Sequence, residues 1–378
     1  MSDLAVISVK SRKERTQFFN LPWQLYRDDP CWVPPLRRNQ LELLNYKKHP
    51  FYEYSEIQTF IATRNGEPCG RIAAIVNRAH NQRHEEQRGF FGFFESIDDQ
   101  AVADGLFDAA GQWLKQRGMQ SIRGPMNPSM NYECGLLVDG FDSMPTFMMT
   151  YNPPFYPRLI EATGLKQTQE MYAFWGHIDM LAGLDKKLEF IVAEATRRFD
   201  VKLRTLDRSR FRQEVRMFLD IYNRSMVGTW GFVPMSENEV DHMSAGLKHL
   251  IVPEMTTVAE VDGEPIGAVF GLLDFHPRIR KINGRLFPFG FFRLLANKAA
   301  IKRIRVISTN VVPEYQKWGV GLVLLSRLVP DALAWGIEEG EFSWVLESNH
   351  LSYQSLKRGG AKITKTYRLY DGDLADSG

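Results

Sequence analysis

Residues 311–321 read Val-Val-Pro-Glu-Tyr-Gln-Lys-Trp-Gly-Val-Gly. An apolar run over 304–312 leads into this stretch, and a second one carrying Leu322, Val323, Leu324, Leu325 and Leu328 leaves it. The first run predicts a strand and the second a helix, so Gln316-x-x-Gly319-x-Gly321 sits in a strand–loop–helix unit. Glycines let backbone amides turn into such a loop, and the helix behind it adds the positive end of its dipole. That combination cradles a pyrophosphate. A glycine pair alone is a weak signal; the order strand, Pro-Glu-Tyr, glycine loop, helix is far more specific.

The string resembles the acyl-CoA signature of the GNAT (Gcn5-related N-acetyltransferase) superfamily, Gln/Arg-x-x-Gly-x-Gly/Ala after the fourth strand. The downstream sequence agrees: 342–347 reads as a fifth strand, and a short helix over 351–358 runs from Asn349 to Gly359-Gly360. A final alternating strand covers 362–370. The resemblance implies an α/β (α+β) fold in which a mixed, largely antiparallel twisted sheet is flanked by helices. It implies that acyl-CoA is the co-substrate, with no metal. Gln316, Lys317, Gly319, Val320 and Gly321 would hold the pyrophosphate, with Asn349 counted beside them. The backbone amide near Val311 would polarise the thioester carbonyl, and the pantetheine would lie where the fourth and fifth strands splay apart.

With 378 residues, the chain is long enough for two domains. Gly66-Glu67-Pro68-Cys69-Gly70 recurs as Gly263-Glu264-Pro265-Ile266-Gly267, each copy between strand-like runs, 57–63 and 71–76 in one half, 257–261 and 268–273 in the other. A strand and a long helix follow in each half, then a Ser with an Asn six residues on, Ser121 with Asn127 and Ser343 with Asn349. A late helix and a closing strand complete both. This order predicts a tandem duplication, with domains over 1–180 and 181–378 joined near 178–184. The halves differ where it matters. The first has Ser96-Ile97-Asp98-Asp99-Gln100 in place of the glycine loop. Its aspartates would repel a pyrophosphate and instead suit helix N-caps. One acyl-CoA site is expected, in the second half, with a degenerate first half shaping the acceptor cleft.

The acceptor is expected to be an amine. A long loop over 123–156 mixes prolines, glycines and asparagines with Met and aromatic residues, so it should be packed despite its irregularity. Asn127, Asn131, Tyr132 and Tyr151 are candidates for binding polar parts of the acceptor; the alternative is a plug over the first half's splayed strands. A second segment, 276–305, reads as an insertion between the third and fourth strands of the second half. Phe287, Phe289, Phe291 and Phe292 lie there among Arg278, Arg280, Lys281, Arg285, Arg293, Lys298, Lys302 and Arg303, with no acidic residue between Asp274 and Glu314. That composition suits peripheral contact with an anionic membrane or an amphiphilic ligand; a covering helix with a core-facing aromatic side is the alternative.

Acyl transfer to an amine needs a neutral amine, a polarised carbonyl and a protonated leaving thiolate. The family often supplies that last proton from a Tyr about seven residues past the Asn. Leu356 stands there, and Tyr353, one turn earlier, is the nearest hydroxyl. Glu347 at the end of the fifth strand, His350 just beyond it and Glu133 in the first-half loop are the candidate bases, capping around Asn349 being the other role open to the first two. Fatty-acyl transfer to a long-chain amino alcohol, as in the bacterial ceramide synthase group, is one substrate expectation, and acetylation of a small amine is another. A non-catalytic acyl-CoA sensor is the alternative of a different class. A net charge of +2 gives no case for nucleic acid. Cys31, Cys69 and Cys134 lie far apart without metal spacing and suit a reducing compartment. No run approaches the roughly 20 apolar residues of a membrane span, so the expected location is cytoplasmic.

Overall fold

The computed structural model describes residues 3–177, 180 and 186–374. Apart from Met180, the junction expected near 178–184 lies outside the described residues. The chain forms two compact units: unit 1 from Met1–Glu170, His276–Phe291 and Lys365–Gly378, and unit 2 from Met171–Phe275 and Phe292–Thr364.

Unit 1 opens with β1 (Leu4–Ser8), α1 (Arg12–Leu25) and α2 (Arg37–Leu43), followed by the hairpin β2 (Ser55–Arg64) and β3 (Glu67–Asn77). Asn65 and Gly66, at φ 51° and 83°, make the hairpin turn, because a tight turn of this hand needs positive φ at both central residues. After α3 (Arg78–His84), β4 (Arg88–Ser96) pairs antiparallel with β3. β5 (Ser121–Gly124) then pairs parallel with β4, Arg88 opposite Ser121. A parallel neighbour requires a crossover, which α4 (Gln100–Lys115) supplies. Its apolar face, Val102, Leu106, Phe107, Ala110 and Leu114, packs with Ile72, Ala74 and Phe91 in the core. The expected capping role of the aspartates holds at Asp99, whose carboxylate accepts from the Ala101 and Val102 amides. Short strands β6 (Met126–Asn127), β7 (Glu133–Cys134) and β8 (Leu136–Asp139) occupy the long loop, and α5 (Tyr156–Ala162) precedes β9 (Lys166–His177).

Unit 2 repeats the order. α6 (Lys186–Phe199), β10 (Lys202–Arg204), α7 (Phe211–Ser225) and α8 (Glu237–Leu247) lead to the hairpin β11 (Thr256–Val261) and β12 (Glu264–Leu273). Its turn is Asp262-Gly263, φ 52° and 82°, the counterpart of Asn65-Gly66. The insertion holds two short helices, α9 (His276–Lys281) and α10 (Gly290–Leu295). β13 (Arg303–Val311) runs antiparallel to β12, α11 (Val320–Trp335) crosses over, and β14 (Glu339–Leu346) pairs parallel with β13. α12 (His350–Arg358) and β15 (Lys362–Asp373) complete the chain's elements.

Both units are therefore mixed, largely antiparallel sheets flanked by helices, as the resemblance implied. Two features differ from the simplest picture of consecutive halves. Residues 171–177 of β9 pair with β14 inside unit 2. Residues 366–373 of β15 return to pair with β5 and β8 inside unit 1. The Ser–Asn spacing is also not a shared position. Gly70 faces Ser96 and Gly267 faces Val311, while Arg88 faces Ser121 and Arg303 faces Glu339. Counting from the shared turn, Ser121 corresponds to Glu339 and not to Ser343.

Candidate functional site

β13 and β14 are paired only from Arg303–Glu339 to Val306–Phe342. Beyond that point β13 stays with β12 as far as Val311, and β14 stays with β9 through Val345 and Leu346. The two strands therefore part within unit 2. Val312 donates to the Ile266 carbonyl at 2.9 Å. Amides alternate sides along a strand, so the Val311 amide turns away from β12, toward the side β14 has left.

The glycine loop closes one end of this gap. Residues Pro313–Trp318 form a 3-10 turn, Gly319 takes a left-handed conformation at φ 81°, and α11 starts at Val320. A Cβ on Gly319 would lie 2.5 Å from Ile191 Cγ2 of α6, so both backbone and neighbour require glycine. No side chain caps α11, whose N-cap is Gly319 itself. Its first amides are thus left for an anion. Gln316 holds the loop in place: its Nε2 donates to the Val311 carbonyl at 3.0 Å and the Ser225 carbonyl at 3.2 Å. Lys317 is exposed beside them. Trp318 packs edge-on to Phe199, and the Arg198 guanidinium lies 3.9 Å from the Trp318 ring centroid.

The base of the gap holds a buried polar trio whose association the sequence did not disclose. Arg305 donates through Nε to Ser343 Oγ at 2.9 Å and through Nη2 to the Ser343 carbonyl at 2.8 Å. Ser343 Oγ donates to Glu341 Oε1 at 2.6 Å. An arginine between Ile304 and Val306 in a buried strand was the available signal.

At the far end of β14, Glu347 and His350 are exposed, and Asn349 caps α12 by accepting from the Ser352 amide at 3.2 Å. Tyr353 lies edge-on to Tyr172 and Phe174, centroids 5.5 and 5.4 Å away. Val311, Gln316, Lys317, Gly319, Val320, Gly321, Glu347, Asn349 and Tyr353 all belong to unit 2, whereas Asn127, Asn131, Tyr132, Glu133 and Tyr151 belong to unit 1.

In unit 1 the corresponding gap is filled by the protein itself. The Ser96 amide donates to the Tyr156 hydroxyl at 2.9 Å, and that hydroxyl donates to Glu95 Oε2 at 2.8 Å. Tyr26 donates to the same oxygen at 2.6 Å, and Arg71 stands 3.5 Å from the other. Burial pushes the Glu95 carboxyl up against the opposing pull of Arg71. The Phe93 amide donates to Asn127 Oδ1 at 2.6 Å. β6 lies so close that a Cβ on Gly92 would stand 1.7 Å from the Met126 carbonyl oxygen. The rest of the loop is equally engaged: Tyr132 lies edge-on to His49 and Phe51, Tyr151 donates to the Asp29 carboxylate, and the Asn131 amide donates to Ser129 Oγ. Glu133 faces Asn127 across the β6–β7 ribbon. Burial and the Asp29 carboxylate both raise the Tyr151 hydroxyl pKa.

No profile of a known protein family matches the chain. The chain is 34% identical to the bacterial ceramide synthase of Caulobacter vibrioides over 98% of its own length and 97% of the relative's. It is also 34% identical to protein YghO of Escherichia coli, over 96% of this chain and 93% of that one. Among solved structures, a tandem GNAT protein from the clavulanic acid biosynthesis pathway matches over 100% of both chains at TM-score 0.58 and 11% identity. A GCN5-related N-acetyltransferase from Sphaerobacter thermophilus matches over 98% of this chain and 96% of its own, at TM-score 0.53 and 11% identity. A glycine loop at an uncapped helix and parted parallel strands in unit 2, with a second unit of the same strand order, thus coincide with full-length similarity. The chain has the fold of the tandem GNAT proteins and belongs to one family with the bacterial ceramide synthase of Caulobacter vibrioides.

Proposed function

We propose that the protein is an acyl-CoA-dependent N-acyltransferase whose acceptor is a long-chain amino alcohol. The observation that carries this reading is the parting of β13 from β14 beside an α11 N-terminus with no side-chain cap. The relative named a ceramide synthase supports the lipid acceptor. The three free cysteines suit a reducing compartment, and we place the protein in the cytoplasm.

In this mechanism the amides of Gly319, Val320 and Gly321, with Lys317 beside them, hold the pyrophosphate. The thioester lies along β13, its carbonyl oxygen accepting from the Val311 amide. A neutral amine attacks the carbonyl carbon; the new C–N bond forms as the C–S bond breaks. Glu347 takes the amine proton, and the Tyr353 hydroxyl supplies one to the leaving thiolate. Unit 1 contributes no second acyl-CoA site, because Tyr156 and Asn127 already take the amides that would serve one.

The test is titration of the full chain with palmitoyl-CoA and with acetyl-CoA, followed by release of free CoA on adding a saturated long-chain amino diol. Gly321→Glu is the control: Gly321 has ordinary backbone geometry, and its nearest outside atom to a new Cβ, Thr309 Cγ2, is 3.7 Å away. Tighter palmitoyl-CoA binding, lost in Gly321→Glu, with turnover on the amino diol is expected. Acetyl-selective binding refutes the lipid reading. Tight binding without turnover of any amine makes the protein a sensor.

A further inference from the structure

The insertion between β12 and β13 has a fixed base and an exposed apolar tip. At the base, His276 Nδ1 lies 2.7 Å from the Pro145 carbonyl and its ring is edge-on to Phe147, while Ile279 and Ile282 are buried. Trp23 Nε1 donates to Asn283 Oδ1 at 2.7 Å, and the Arg37 amide donates to the Gly284 carbonyl at 3.0 Å. A Cβ on Gly284 would stand 2.1 Å from the Pro35 carbonyl oxygen. The tip then closes on itself: the Phe291 amide donates to the Leu286 carbonyl at 2.7 Å, and a Cβ on Gly290 would be 1.8 Å from the Arg285 carbonyl oxygen. From this closed loop Phe287 and Phe289 project, 87% and 67% exposed. Their exposure belongs to a built loop, since the residues on either side are pinned.

The surrounding charge has one sign. Arg280, Lys281 and Arg285 are exposed, and among the described residues no acidic side chain pairs with them. Not every cation of the segment is available. Arg303 pairs with Glu339, Lys302 with Glu338, and Lys298 donates to the His249 carbonyl. These three are engaged elsewhere and do not count among the tip's cations.

Two exposed phenylalanines two residues apart, with the exposed cations Arg280, Lys281 and Arg285 close by in sequence, fit a negatively charged apolar boundary. A second copy of the same patch would bring like charges together. We propose that the 285–291 tip is a membrane anchor. Phe287 and Phe289 enter the acyl boundary of an anionic phospholipid surface while Arg280, Lys281 and Arg285 meet its phosphates. This does not rest on the catalytic reading, because vesicle binding requires no acyl-CoA.

The experiment is co-sedimentation of the full chain with phosphatidylcholine vesicles and with mixed phosphatidylcholine–phosphatidylglycerol vesicles, alongside size-exclusion chromatography with light scattering. Binding to the mixed vesicles is expected to exceed binding to the neutral ones by about tenfold or more and to weaken with salt. Phe287→Ser/Phe289→Ser should lower it about tenfold or more, and Arg280→Glu/Lys281→Glu/Arg285→Glu should abolish the preference for anionic lipid. Both variants alter exposed side chains and should keep the wild-type circular dichroism spectrum. Wild-type protein that ignores anionic vesicles, or variants that bind as it does, would overturn the proposal. So would variants that change only the oligomeric state, which would assign the patch to a second copy.

Discussion

Ser96 and Val311 hold the same position in their two sheets, opposite Gly70 and Gly267, but among the described residues only the Ser96 amide is taken by a side chain, the Tyr156 hydroxyl at 2.9 Å. Under the proposed function, that difference leaves acyl-CoA binding to unit 2. Tyr156→Phe should take the side-chain acceptor from the buried Ser96 amide and leave Glu95 Oε2 with the Tyr26 hydroxyl alone. We expect a loss of about 1–3 kcal/mol in urea denaturation. Acyl-CoA should still bind once per chain. A second binding event in calorimetry of this variant would show that the filled gap is an occluded site rather than a lost one.

Gly319 and Gly321 should respond differently to the same change. Alanine at 319 meets φ 81° and an Ile191 methyl at 2.5 Å, whereas alanine at 321 meets only ordinary contact at 3.7 Å. Gly319→Ala should cost roughly 1–3 kcal/mol of stability, and Gly321→Ala nearly nothing. Thermal unfolding compares them directly, and equal melting temperatures would refute the assignment of strain to Gly319.

Tyr353 separates packing from chemistry. Its ring is held by Tyr172 and Phe174, so Tyr353→Phe should preserve stability. If its hydroxyl protonates the leaving thiolate, kcat falls about 100-fold while the acyl-CoA dissociation constant is unchanged. Unaltered kcat would move the proton donor elsewhere. Tyr353→Ala should lower both kcat and melting temperature.

His80 gives unit 1 an acid limit. Burial, helped by His84 and Arg123 and opposed by Glu86, lowers its pKa from 6.5 to about 4. The folded state thus prefers the neutral ring, and the unfolded state binds the proton more readily. Stability from this group is full above pH 6.5 and is lost as pH falls toward 4. The drop amounts to about 3 kcal/mol. Denaturant midpoints of wild type and His80→Phe at several pH values should converge at low pH; parallel curves would discount the residue.

What the sequence disclosed was local. The Asn65-Gly66 and Asp262-Gly263 turns and the Gln316–Gly321 loop carry their conformations in adjacent residues, because positive φ and helix starts are short-range demands. Asp99, the cap of α4, was legible for the same reason. Pairings decided far along the chain were not. Alternation marks β9 and β15 as strands but says nothing about which sheet edge each one joins. Arg305 resembled the other cations of its segment, although Ser343, 38 residues away, makes it a buried partner. Asn127 looked equally suited to a ligand or to a plug, since the Phe93 amide it accepts lies 34 residues back in sequence.

The exchange of β9 and β15 sets a timetable for synthesis. The strand that completes unit 1, residues 366–373, is made after every other described element of that unit, whereas the partner of β14 is made long before β14 itself. A nascent first half therefore waits with an open sheet edge, and open edges invite pairing with other chains. Cutting the gene near 181 would strand each closing segment on the wrong fragment. Neither fragment should fold alone, and co-expression of the two is the arrangement in which both could recover their missing strand.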